Sequence, residues 1–179
     1  MGAAVIVAMV SSMSSYALVG LMMAASVLAS AGASTKQMDP PDRAVRALVD
    51  SALDAAQSGD VKGLRQAYMP GCVFVDEFAP FAWSGAHSMD AYLAGAARMY
   101  KDTAMTGTHV VHETPAYVYV AGDKAYLTVP LHITAKAAGK PYYESGTLTF
   151  ALQKTAGSWK IAAQAWTKLG ENRHLASNK

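Results

Sequence analysis

The chain has 179 residues, 52% of them hydrophobic and 16% charged, with a formal charge of +2 at pH 7. That length suits one domain of ordinary size, the apolar content excludes a disordered chain, and a charge so near neutral leaves no electrostatic footprint for nucleic acid. The average conceals an asymmetry. Residues 1–33 contain no Asp, Glu, Lys or Arg and 24 of the 33 are hydrophobic, so every charge sits on residues 34–179.

Within that first segment the apolar run Tyr16 to Ala29 has the length of a signal-peptide h-region and is too short to span a bilayer. Ala29-Ser30-Ala31 and Ala31-Gly32-Ala33 come next, both small-x-small patterns that signal peptidase accepts. Residues 1–33 therefore read as a signal peptide cleaved near 31–34, which places the mature domain in the periplasm or the medium. An uncleaved N-terminal membrane anchor is the alternative, since no Lys or Arg precedes the run and a start at Met13 would not add one. No Cys adjoins the cleavage site, which argues against a lipoprotein. Cys72 is the single cysteine, so no intramolecular disulfide is possible. With no basic residue near it in sequence, it reads as a buried, inert thiol.

Residues 34–41 form a polar linker, and the domain is expected over 42–169. Asp42 opens a helix to Ser58 whose apolar positions Val45, Leu48, Val49, Ala52, Leu53 and Ala56 fall on one face. Ser58-Gly59 stops it, and Asp60 caps a short second helix through Tyr68 that Pro70-Gly71 ends. The next element is a strand from Cys72 to Glu77, with Cys72, Phe74 and Asp76 on one side. Ala79-Pro80 turns the chain into a short strand around Phe81 to Trp83. Ser88 then caps a third helix carrying Met89, Tyr92, Leu93, Ala96 and Tyr100 on one stripe. Beyond Thr108 the chain is strand-like, with turn signals at Ala121-Gly122-Asp123, Ala137-Ala138-Gly139 and Thr155-Ala156-Gly157. They mark four strands near 108–120, 124–136, 141–154 and 158–168, and a polar tail over 170–179. Pro115 and Pro130 inside two of them predict bulges or bends. The expected fold is α+β: a cone-like, strongly curved antiparallel sheet of about six strands, three helices on its concave face, and a pocket between.

This order resembles the nuclear-transport-factor-2-like superfamily and, within it, the SnoaL-like branch. The resemblance rests on Asp42-Arg-Ala-Val-Arg-Ala-Leu with Ser58-Gly-Asp, on Val73-Phe-Val-Asp-Glu-Phe-Ala-Pro-Phe-Ala-Trp-Ser-Gly, and on Gly146-Thr-Leu-Thr-Phe-Ala-Leu-Gln-Lys with Gly157-Ser-Trp-Lys-Ile-Ala-Ala-Gln-Ala-Trp after it. It covers about 42–169. It implies the fold rather than an activity, because isomerases, dehydratases, cyclases and plain binding modules share the scaffold.

Asp76 shares its strand face with apolar side chains, where desolvation would raise its pKa toward that of a general base; a structural acceptor of backbone amides is the competing reading. In the similar ketosteroid isomerases a catalytic Asp occupies a comparable place on the first strand. Those enzymes also carry a Tyr donor on the first helix, and residues 42–58 contain none, which argues against steroid-type isomerisation. His112 alternates with Val110 onto the inner face and is the second catalytic candidate, against a satisfied core histidine. His109 should point the other way, so His109-x-x-His112 is not a chelate and no metal is called for. No phosphate loop, nucleophile elbow or Cys-x-x-Cys is present and no cofactor is implied.

Phe74, Trp83, Val110, Glu144, Leu148 and Phe150 are the expected ligand-binding set, with a solvated position outside the pocket as the competing reading of Glu144. The competing reading of Trp83, with Trp159 and Trp166, is core or subunit contact. Regular alternation on the last strand puts Ile161, Ala163 and Ala165 opposite Lys160, Gln164 and Trp166, giving a mixed polar and aromatic outer face suited to a homodimer. Three functions are compatible with these residues: an exported domain binding a small apolar or amphipathic molecule, an isomerase, dehydratase or cyclase using Asp76 as base, or a purely structural dimerisation module.

Overall fold

The computed structural model describes residues 40–171. The expected signal peptide over 1–33, the linker up to residue 39 and the tail from 172 onward lie outside the described residues. Among the described residues, no helix is long and apolar enough to cross a membrane.

Helix α1 (Pro40–Ser58) starts two residues before the expected Asp42. Its two prolines occupy the first helical positions, where a missing N–H costs nothing. Val45, Val49, Ala52 and Ala55 are buried on one stripe. The helix ends in a Schellman motif, Asp60 N–H to Ala55 O at 2.8 Å and Gly59 N–H to Ala56 O at 3.3 Å, with Gly59 at φ 77°. Asp60 then caps α2 (Val61–Ala67) by accepting from Gly63 N–H at 3.0 Å.

Strand β1 (Tyr68–Val75) begins earlier than expected, because Pro70-Gly71 does not end a helix but sits in an irregular stretch of the strand, with Gly71 at φ 72°. β2 (Ala82–Trp83) folds back on it. Helix α3 (Ser88–Asp102) takes His87, not Ser88, as its N-cap residue. Ser88 is instead buried, its hydroxyl 3.7 Å from Cys72 Sγ.

The expected strand 108–120 is two strands, β3 (Met105–His112) and β4 (Tyr117–Ala121), both antiparallel to β5 (Lys124–Ala137). Pro115 lies in the break. It has no N–H to give to a ladder, and the stretch is stitched instead through Glu113 N–H to Pro130 O and Ala116 N–H to Thr128 O. β6 (Lys140–Thr155) and β7 (Ser158–Glu171) complete the meander. Their hairpins turn at Ala138-Gly139 and Ala156-Gly157, all four residues at positive φ, as a type I′ turn requires.

The sheet has seven strands in the order β2-β1-β7-β6-β5-β3, with β4 also on β5. It is mixed rather than wholly antiparallel, since β1 and β7 run parallel. A parallel pair needs a long crossover, and α3 with the meander supplies it. Val45 and Val49 of α1 join Phe74, Leu127, Val129, Phe150 and Ile161 in the core; each such fully buried side chain adds about 1.5–3 kcal/mol.

Two one-residue irregularities in β7 decide which of its side chains face inward. Leu152 pairs with Ile161 but Ala151 pairs with Ala163, so Ala162 is bulged; Gly146 pairs with Lys168 but Ser145 with Gly170, so Leu169 is bulged. After the first bulge the strand's alternation is inverted. Gln164, Trp166 and Lys168 pair with the inward-facing Phe150, Leu148 and Gly146, whereas regular alternation places them outside.

Candidate functional site

Between the concave sheet, the C-terminal half of α1 and the inner stripe of α3 lies a cavity of about 840 Å³. Its wall is largely apolar, from residues such as Leu53, Phe74, Leu93, Val110, Leu131 and Leu148.

Its main polar cluster is built by β1, β6, β7 and α3. Asp76 Oδ1 accepts from Glu77 N–H at 2.7 Å, and Oδ2 accepts from the Tyr92 hydroxyl at 2.9 Å. Burial pushes the Asp76 carboxyl above the usual range, although both hydrogen bonds pull the other way. Burial, and then the Asp76 charge, push Tyr92 well above the ordinary tyrosine value, so its hydroxyl stays a donor. The Tyr92 ring is fixed by stacking on Phe74 with centroids 4.4 Å apart and by the edge of Trp83 at 5.2 Å. α3 can lie this close to the aromatic group because Gly95 faces Phe78 and Trp83, where a Cβ would sit 3.1 Å from each ring.

Glu144 is the most buried carboxylate described, 5% exposed. It accepts from Trp166 Nε1–H at 2.9 Å and from the Tyr142 hydroxyl, and Lys168 Nζ stands 3.7 Å away. Lys168 also pairs with Glu77 at 2.7 Å. Burial raises Glu144 above the ordinary carboxylate range. Burial first, then the hydrogen bond to Glu144, raises Tyr142. Gly146 makes this possible: a Cβ there would lie 2.4 Å from both the Trp166 ring and Thr167 O, so the indole passes over a residue with no side chain to reach Glu144.

A second polar group lies at the β3 edge. His112 Nε2 stands 3.9 Å from Asp54 Oδ1 of α1, with side chains 32% and 80% exposed. One turn on, Gln57 Oε1 accepts from Val110 N–H at 3.3 Å and its amide lies 3.5 Å from His109 Nδ1, so His109 lines the cavity beside His112 rather than pointing away from it as alternation predicts. Asp54 and Gln57 thus pin the edge strand to α1.

Of the eight residues expected from sequence, Asp76, His112, Phe74, Val110, Glu144 and Leu148 line this one cavity. Trp83 and Phe150 do not. Trp83 backs Tyr92 and Phe78 from behind the wall, and Phe150 is wholly enclosed in the core. Asp76 and His112 share the cavity but have separate partners, Tyr92 and Asp54, and come from strands four spacings apart along the sheet, about 19 Å. Cys72 is buried, as expected, and burial raises its thiol.

Sequence reasoning missed Lys168, Gln164 and the inward placement of Trp166, because the Ala162 bulge leaves no mark in the residue pattern. It read Tyr92 and Tyr100 as core stripe only. Gln164 accepts from the Tyr68 hydroxyl inside the cavity. The tyrosine donors absent from the first helix are supplied by α3 and β6. Among the described residues, no group of three His, Cys, Asp or Glu is placed to hold a metal.

Three helices on the hollow side of a bent mixed sheet, enclosing a cavity with buried acid and tyrosine groups, define a nuclear-transport-factor-2-like α+β cone. Residues 45–165 match the SnoaL-like domain family, and the chain belongs to it. Among solved structures it is similar to the Kfla4162 protein of Kribbella flavida, at 15% identity and TM-score 0.61 over 74% of this chain and 94% of that one. A ketosteroid isomerase-like protein of Erwinia carotovora atroseptica matches at 19% identity and TM-score 0.59 over 74% and 99% of the two chains. The CaMKII hub of S. rosetta matches at 19% and 0.59 over 73% and 98%. These likenesses concern the fold. No curated protein is significantly similar in sequence.

Proposed function

We propose that this domain binds a small, mostly apolar molecule with one polar group, and that the N-terminal sequence directs it out of the cytoplasm. The observation that supports binding is the cavity itself: about 840 Å³ with apolar walls and convergent Asp76, Glu144, Tyr92 and Lys168, within the range of small-molecule sites. Native mass spectrometry of the purified protein is the test. A co-purifying mass released on denaturation is expected. The absence of one, together with no thermal stabilisation by any member of a small-molecule panel, counts against the reading.

One observation favours turnover as a second reading. Asp76 is a partly buried carboxyl raised by desolvation and held in the cavity wall by the Tyr92 hydroxyl, the placement a base that abstracts and returns a proton requires. Under this reading the recovered ligand is chemically changed by the wild-type protein and returned unchanged by Asp76→Asn.

The domain is further proposed to associate as a homodimer through its outer sheet face. Tyr117 and Tyr119 are 53% and 58% exposed there, with Val111 and Tyr126 also exposed nearby, and an apolar patch of this kind marks an interaction surface.

A further inference from the structure

We propose that the cavity selects an organic cation: a molecule with an apolar body and an ammonium-type group directed at Glu77 and Glu144. This rests on the ligand-binding reading above and narrows its ligand class.

The charges lining the cavity are unbalanced. Asp54, Asp76, Glu77 and Glu144 face one ammonium, that of Lys168. Lys168 already lies against Glu77 at 2.7 Å and Glu144 at 3.7 Å, so its charge is compensated before any ligand arrives. Among the described lining residues there is no arginine, and thus no planar donor fork for a carboxylate, sulfate or phosphate. An anionic head would enter a field of like charge, felt most beside the buried Glu144. A cation meets the opposite situation.

The wall adds a second, independent attraction. Tyr68, Phe78, Tyr92, Tyr100, Tyr142 and Trp166 line the same space, and the faces of aromatic rings attract cations within about 6 Å of their centroids. The Trp166 Nε1–H bond to Glu144 holds the indole beside that carboxylate, so charge and aromatic wall lie together at this end of the cavity. A neutral ligand would use the apolar wall alone.

Three probes of equal chain length separate these cases: octyltrimethylammonium, octanol and octyl sulfate, titrated into the purified protein at low salt by calorimetry and tryptophan emission. The expected order is octyltrimethylammonium tightest, by at least tenfold over octyl sulfate, with octanol between. Glu77→Gln keeps a hydrogen-bond partner for Lys168 but removes one negative charge; it should bring that ratio below threefold. If that variant does not fold, Asp76→Asn, which removes the neighbouring carboxylate of the same cluster, should narrow the ratio likewise. Octanol binding with octyl sulfate equal to or tighter than the cation overturns the inference and leaves the ligand-binding reading intact. Binding of none of the three, with no co-purifying ligand, overturns both.

Discussion

Replacing Gly146 by alanine probes how the acidic end of the cavity is assembled. The added methyl carbon would lie 2.4 Å from Thr167 O and 2.4–2.5 Å from two Trp166 ring carbons. Thr167 O belongs to a paired strand and cannot retreat without opening the β6–β7 ladder, so the ladder must yield at this point and the indole must give way as well. Overpacking of this kind costs about 1–3 kcal/mol. A displaced Trp166 also abandons Glu144, and losing a hydrogen bond to a buried charged group costs about 1.5–3 kcal/mol more. Together these reach about 2.5–6 kcal/mol, a large share of the 5–15 kcal/mol typical of a domain, and correspond to a fall in melting temperature of roughly 8–24 °C. Urea unfolding gives the energy directly. In a Trp166→Ala background the same substitution should cost clearly less, since only the Thr167 contact remains. A Gly146→Ala protein within about 0.5 kcal/mol of wild type, the scatter of a neutral surface change, would refute this role for the glycine.

Two further outcomes are expected. Burial raises the Asp76 carboxyl in the folded chain, so it adds stability while protonated, below the ordinary value near about 3.9, and that contribution is lost as pH rises through the raised value. The stability of Asp76→Asn relative to wild type should therefore grow from about pH 4 toward neutrality in urea melts, and a difference that does not vary with pH contradicts the assignment. On the outer face, Tyr119→Lys should convert a dimer to a monomer in light scattering at micromolar concentration; a wild-type protein that is already monomeric refutes the homodimer.

The helices were legible because their cause is local. Val45, Val49 and Ala52 recur at helical spacing, and the Ser58-Gly59-Asp60 signal is fulfilled by backbone bonds within five residues. The β5–β6 and β6–β7 hairpins were legible for the same reason, each turning on an Ala-Gly pair. The inner position of Asp76, Val110, His112 and Glu144 came from strand alternation, which holds wherever the ladder is regular. It failed at β7, where the inversion depends on how Ala162 is accommodated against Ala151 and Leu152, a long-range pairing with no local signature. The parallel β1–β7 pairing was hidden similarly. It depends on where the last strand docks, some ninety positions along the chain from the first.

The Ala162 bulge gives the family member an unusual route to change. Substitution alters one wall position at a time, but the gain or loss of a single bulge exchanges an entire set: Gln164, Trp166 and Lys168 inside, or Ala163, Ala165 and Thr167. The first set gives the interior an amide, an indole and an ammonium that bond Tyr68, Glu144 and Glu77; the second would leave it small and bland, with Glu144 stripped of its indole and ammonium partners. The irregular backbone thus acts on the chemistry of the cavity as a whole, and sequences of this shape that differ by one inserted residue in the last strand need not share a ligand even when every other wall residue is identical.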